Sequence, residues 1–172
     1  MKGEIIIQQP TTLGVKIGFS GTSIHSFERS ILDVKGTLIF KRTAFFGSGT
    51  KLSVIGDIYF GDKFCVTGPN TIICHYRASF GDNVLISWGG LIMDTDFHSI
   101  EINGICRNKY DSIEVGSNVW IGYAVSITKG ASIASNSVVS IQSLVNKKHS
   151  RSNVLLAGIP AVEVKENVSW YR

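Results

Sequence analysis

The sequence predicts an all-β chain: a parallel β-helix wound from imperfect six-residue repeats, with one long loop thrown out of it and a short C-terminal cap. Two observations predict the helix and a third predicts the loop. Aliphatic residues recur at Val115, Ile121, Ile127, Ile133, Val139 and Val145, and every step is six. Small or β-branched residues recur two places earlier, at Ile113, Val119, Val125, Ala131, Ser137 and Ser143. The rhythm stops between Ile92 and Val115, a stretch one residue short of four hexads.

Residues two apart in an extended strand share one face, so both registers point inward. The aliphatic fills the core, and its smaller partner sits where the wall bends. The residue after each aliphatic is small or polar: Gly116, Gly122, Thr128, Ala134, Ser140 and Asn146. It is expected to open the corner, where glycine tolerates the backbone geometry. Three such sides close a coil of about 18 residues, and coils stack about 4.8 Å apart.

The pattern extends upstream. Val34, Phe40 and Phe46 follow Leu32, Leu38 and Ala44 by two places. Val54, Phe60 and Val66 follow Leu52, Ile58 and Phe64, and Phe80, Ile86 and Ile92 follow Ala78, Val84 and Gly90. The phase slips by two residues between Phe46 and Val54 and again between Val66 and Phe80. Roughly five coils are expected across residues 32–146. A period of six held over six consecutive hexads disfavours an antiparallel sandwich, and that period with its Gly, Ser and Val content excludes a heptad helix. Periodicity leaves the handedness open, since ordinary crossovers are right-handed.

Composition bounds the partners. The 172 residues suggest one domain, and 44% apolar residues supply a core. Charged residues are 17%, below the usual share of about 25%. The net charge of +4 is mild and no run of Lys and Arg marks a nucleic-acid stripe. The densest basic cluster, Lys147, Lys148, His149 and Arg151, is enough for a small polyanionic ligand. The apolar stretch near Met1 is short for a signal peptide, and no segment approaches the roughly 18 apolar residues of a membrane span. Cys65, Cys74 and Cys106 form neither a disulfide framework nor a CxxC, so a cytoplasmic location is expected. The organisation expected is an N-terminal segment 1–31, a β-helix 32–160 and a tail 161–172.

The interruption, residues 94–112, carries one histidine, His98, just after Asp94 and Asp96. A long loop on a rigid scaffold is a usual place for chemistry. A histidine near pH 7 takes up a proton and returns it, and a neighbouring carboxylate can hold its tautomer. The competing reading is a solvated loop histidine beside turn-forming aspartates. His25, His75, His98 and His149 show no HxxxH or HxxxxH spacing, so no metal is expected. Cys106 shares the loop, which makes an acyl-cysteine route conceivable. Cys65 lies between inward Phe64 and Val66 and is expected to face outward.

Three stretches carry a family resemblance. Phe80-Gly81-Asp82-Asn83-Val84-Leu85-Ile86 leads into Asp94-Thr95-Asp96-Phe97-His98. Asn118-Val119-Trp120-Ile121-Gly122 reopens the pattern, and Ala157-Gly158-Ile159-Pro160-Ala161 closes it. In this order, over residues 52–168, the chain resembles the hexapeptide-repeat acyltransferases. It is similar to their maltose and galactoside O-acetyltransferase branch and to polysaccharide O-acetyltransferases. The start of the chain, before Ile31, matches nothing in that pattern.

The resemblance implies a left-handed β-helix, a homotrimer with sites between neighbours, and acetyl transfer from acetyl-CoA to a carbohydrate hydroxyl. The expected acceptor belongs to a surface polysaccharide or its precursor. His98 is implied as general base, with Asp94 and Asp96 orienting and His75, Tyr76 and Trp88 on the acceptor side. The implied CoA path runs over Trp120, Tyr123, Ile141, Asn146, Lys147, Lys148, Gly158 and Lys165. The chain departs from the family at His75, where a carboxylate is usual, and at Val162 and Lys165, where arginines are common. Ala134, Ser135, Ser140 and Ile141 also replace common glycines. The alternatives are an N-acetyltransferase on an amino sugar, a zinc β-helix and a non-catalytic scaffold.

Overall fold

The computed structural model describes residues 3–20 and 27–172; His25 and the first two residues lie outside them. The chain is a left-handed parallel β-helix with three faces and no helix among the described residues. The first face stacks the strands Glu4–Ile7, Thr37–Phe40, Asp57–Phe60, Arg77–Phe80, Ile113–Val115, Ser132–Ile133 and Lys148–His149. The second stacks Val15–Phe19, Ala44–Gly47, Phe64–Val66, Leu85–Ile86, Trp120–Ile121, Val138–Val139 and Val154–Gly158, and the reversed strand Ala161–Glu166 closes it. The third stacks Ile31–Val34, Lys51–Val54, Thr71–Cys74, Leu91–Met93, Ser126–Thr128 and Leu144–Val145.

The hexads point inward as expected. Val115, Ile121, Ile127, Ile133, Val139 and Val145 are all buried, and so are their partners two places earlier. The coils are not uniform. Downstream, Glu114 pairs with Ser132, so a coil is three hexads long. Upstream, Thr37 pairs with Asp57 and Asp57 with Arg77, so each coil is two residues longer. The larger perimeter encloses more volume, and phenylalanines fill it. Phe40, Phe60 and Phe80 stack with centroids 5.5 and 5.3 Å apart, and Phe64 packs against Phe60 at 4.3 Å. A dense interior needs side chains matched to the space, which explains why aromatics give way to Val, Ile and Ala as the coil narrows.

The register relocates the phase slips. Leu52, Ile72, Ile92 and Ile127 share one column on the third face. The two extra residues of each wide coil therefore fall after that column, at the edge between the third and first faces. The long interruption leaves from the same edge, since Ala78 pairs next with Ile113.

Three further differences from the sequence expectations have physical reasons. The strands Glu4–Ile7 and Val15–Phe19 pair in parallel with Thr37–Phe40 and Ala44–Gly47, so the N-terminal segment supplies the first coil. The left-handed backbone at the corners falls three residues after the aliphatic, at Asn83, Asn118, Ala124, Asn136 and Gln142. The glycine directly after the aliphatic serves close approach: a Cβ on Gly116 would lie 2.5 Å from Ser135. Cys65 does face outward, in register with Phe45 and Leu85, yet it is buried. The tail crosses that face: Trp170 donates its indole N–H to the Asn118 carbonyl at 2.8 Å, and Arg172 reaches the Lys63 carbonyl at 3.4 Å.

No helix among the described residues is long and apolar enough to cross a membrane.

Candidate active site

The interruption is an arm with a laced stem. Thr95 bridges Tyr110, the Asp96 N–H donates to the Lys109 carbonyl at 3.0 Å, and the Asp111 N–H donates to the Asp94 carbonyl at 3.2 Å. Beyond the stem, Ile100–Ile102 and Ile105–Arg107 form an antiparallel hairpin. Its turn is Asn103-Gly104, both at positive φ (51° and 75°), as a tight two-residue hairpin turn requires. Ile100, Ile102 and Ile105 on this hairpin are exposed.

His98 sits where the stem bends into the hairpin. It is exposed, and among the described residues nothing bonds its imidazole. The preceding Phe97 has φ 59°, a left-handed conformation that is uncommon for an aromatic residue. Its N–H donates to the Thr95 hydroxyl at 2.9 Å, and its ring meets the His75 ring at 4.9 Å. The Tyr110 ring lies 6.4 Å from that of His75. The edge between third and first faces thus brings His75, Phe97 and Tyr110 to the base of the arm. Exposed Tyr76 stands beside them.

The two aspartates do other work than orienting His98. Asp94 is fully buried, in the column position next to Cys74. Its Oδ1 accepts from the His75 N–H at 2.7 Å, and its Oδ2 accepts from the Tyr76 N–H at 2.8 Å and from the Cys74 thiol at 3.4 Å. The carboxylate satisfies a corner of the coil. Asp96 pairs with Lys129 at 2.5 Å, and Lys129 also donates to the Asn108 carbonyl at 2.6 Å. Lys129 therefore ties the arm to the next coil, a role its sequence position does not announce. Burial, and then the charge of Asp94, push the Cys74 thiol far up, so it is no nucleophile. Cys106 is exposed on the hairpin.

The expected CoA residues divide. Tyr123, Ile141 and Gly158 form a column on the edge between the second and third faces. Trp88, expected on the acceptor side, stands in this column and not beside His98. The Trp88 and Tyr123 rings lie 5.7 Å apart, the Gln142 N–H donates to the Tyr123 carbonyl at 2.8 Å, and the Gly158 N–H donates to the Ser143 hydroxyl at 3.2 Å. Gly158 has φ 106°, which side chains rarely adopt. Asn146 and Lys147 stand instead on the His98 edge, Lys148 on the first face and Lys165 on the reversed strand, all four exposed. Trp120 is not brought to the Tyr123 column. It lies on the second face under Trp170, 6.3 Å between rings, with its indole N–H 3.4 Å from the Ser87 hydroxyl. No group of three or more His, Cys, Asp or Glu among the described residues could hold a metal ion.

Galactoside O-acetyltransferase of Escherichia coli (strain K12) is 35% identical over 113 residues, which is 64% of this chain and 54% of that protein. The solved structure of a galactoside acetyltransferase in complex with coenzyme A is 32% identical, covers 64% of this chain and 55% of that one, and has a TM-score of 0.56. The polysialic acid O-acetyltransferase OatWY shares the fold along the whole chain: 100% of this chain, 92% of that one, TM-score 0.55, 23% identity. The chain spans about half the length of the curated relatives it matches. No family model matches it.

Proposed function

We propose that this chain, whose relatives include a galactoside O-acetyltransferase, moves an acetyl group from acetyl-CoA to a sugar hydroxyl. The observation that carries the reading is the arm: a long loop leaves a rigid prism at one edge and presents His98 to solvent. His98 takes the proton of the acceptor hydroxyl as its oxygen attacks the thioester carbonyl. The tetrahedral centre collapses, the carbon–sulfur bond breaks, and the imidazolium returns the proton to the departing thiolate. Holding both substrates side by side supplies much of the rate.

The divided CoA residues favour assembly of several copies, and we take the assembly to be a homotrimer. The Tyr123 column and His98 lie on edges separated by the third face, about 15 Å for a side of roughly five extended residues. A groove between two copies would set the Tyr123 edge of one beside the His98 edge of the next. The exposed isoleucines of the hairpin suit burial against such a neighbour. Phosphate partners would be Lys147, Lys148 or Lys165. The acceptor would be a surface glycan or its precursor, met in the cytoplasm.

The test is His98→Ala in the full chain, assayed by thiol release from acetyl-CoA against a panel of sugar acceptors. Loss of about 10²–10⁴-fold in turnover is expected of a missing general base. Undiminished turnover would overturn the reading.

A further inference from the structure

A cavity lies away from the arm. It has a volume of about 600 Å³, within the range of roughly 300–1,000 Å³ of small-molecule sites. It opens at the edge between the first and second faces, so the whole first face separates it from the His98 edge. Residues 11–14 of the first coil, Ala44 and Phe45, and Arg172 of the returning tail line it.

Its charge is one-sided. Lys16, Arg42, Lys63 and Arg172 line it, against one carboxylate, Asp62. Asp62 is already engaged: its Oδ1 accepts from the Thr43 N–H (3.1 Å), the Thr43 hydroxyl (2.7 Å) and the Lys63 N–H (2.9 Å). None of the four cations forms an ion pair among the described residues, but two have partners: the charge of Arg42 acts on Asp62, and Arg172 reaches the Lys63 carbonyl at 3.4 Å. Their neighbour Lys41, outside the cavity, is matched to Asp82 at 2.6 Å. An excess of cations over carboxylates round a cavity focuses the field on an anion.

Lys63 is unusual for its position. The later coils place Asn83, Asn118, Asn136 and Asn153 at this corner, all with positive φ. Asparagine tolerates that backbone and lysine does not favour it. Lys63 holds φ 57° there and lines the cavity.

We propose that this cavity is a binding site for a carboxylate-bearing oligosaccharide, separate from the His98 site. Four cations match the repeated charge of such a chain. The open volume admits more than one sugar unit, and Phe45 offers an apolar surface for a ring. The proposal stands without the acetyl-transfer reading, because binding is measured directly.

The experiment is calorimetric titration of the full chain with tetramers of galacturonic acid and of sialic acid, with maltotetraose and with inorganic phosphate. The proteins are the wild type, the pair Arg42→Gln with Lys63→Asn, and His98→Ala. Lys63→Asn restores the residue that the later coils carry, so the fold should hold; melting curves check it. An acidic tetramer should bind the wild type and His98→Ala alike, at least tenfold more weakly in the double variant, and maltotetraose should not bind. Equal affinity in the double variant, loss of binding in His98→Ala alone, equal binding of maltotetraose, no binding at all, or phosphate displacing the tetramer as a simple anion would each overturn it.

Discussion

The His75 ring meets the Phe97 ring edge-on, with centroids 4.9 Å apart and planes at 83°. This contact ties the coil above the arm to the residue before His98. Phe97→Asn keeps a residue that tolerates the left-handed backbone and removes the ring. Acetyl transfer should fall about tenfold with little change in melting temperature, because an off-position base is costly while an exposed ring contributes little to stability. The double variant with His75→Ala should lose less than the sum of the two. The coupling expected for an aromatic pair is about 0.5–1.5 kcal/mol. Additive losses in a double-mutant cycle would mean the two rings act separately.

Asp94 is predicted to be a stability residue. Asp94→Asn keeps the shape and replaces one acceptor oxygen with an N–H₂ facing a backbone N–H. Hydrogen bonds to charged groups are worth about 1.5–3 kcal/mol each, so a loss of about 2–4 kcal/mol is expected. Urea unfolding measures it. The pH profile of turnover in the folded fraction should be unchanged; a moved profile would mean that Asp94 acts on His98.

Much of this architecture is legible in the hexads, and the misses have causes. The six-residue steps from Val115 to Val145 place the inward column of that run, and the break in them presents His98. Counting by six from Val66 reaches Ile72 but passes over Cys74 and then falls out of step with Phe80, because each wide coil has two extra residues after the Ile72 column. The first coil escapes because the step from Glu4 to its partner Thr37 is far longer than any hexad count allows. The last escapes because the step from Ser132 to its partner Lys148 falls two short of three hexads. The hairpin in the arm does carry a local signal, Asn103-Gly104 between Ile102 and Ile105. The pairing of Asp94 with backbone amides and of Asp96 with Lys129 carries none, since each partner is brought near only by coil stacking.

The corners offer a contrast between two residues with the same backbone. Asn118 has φ 56°, accepts from the Asn83 amide at 2.8 Å and donates to Asn136 at 3.1 Å. Asn118→Ala loses both bonds and puts alanine in a disfavoured conformation, for a cost of about 2–3 kcal/mol. Ala124 has φ 54° and no such ladder. Ala124→Gly relieves the strain at some entropic cost, so stability should rise by up to about 1 kcal/mol. Thermal melts of the two variants should move in opposite directions; movement in the same direction would remove the left-handed corner as the cause.

His149 makes the last coil sensitive to acid. Its ring is buried on the first face, in register with Ile133, and its Nε2 has no hydrogen-bond partner among the described residues. Burial, and then the nearby charge of Lys147, hold its pKa below the ordinary 6.5, with Glu163 pulling the other way. The folded chain therefore keeps this imidazole neutral where the unfolded chain protonates it. Stability is undiminished above about pH 6.5, falls as pH drops below the unfolded value, and levels once the lowered folded pKa is passed. His149→Leu removes the titrating group and suits the apolar column, so its melting temperature should fall less between pH 7 and pH 5 than that of the wild type. Parallel falls in both proteins would assign the acid sensitivity to other groups.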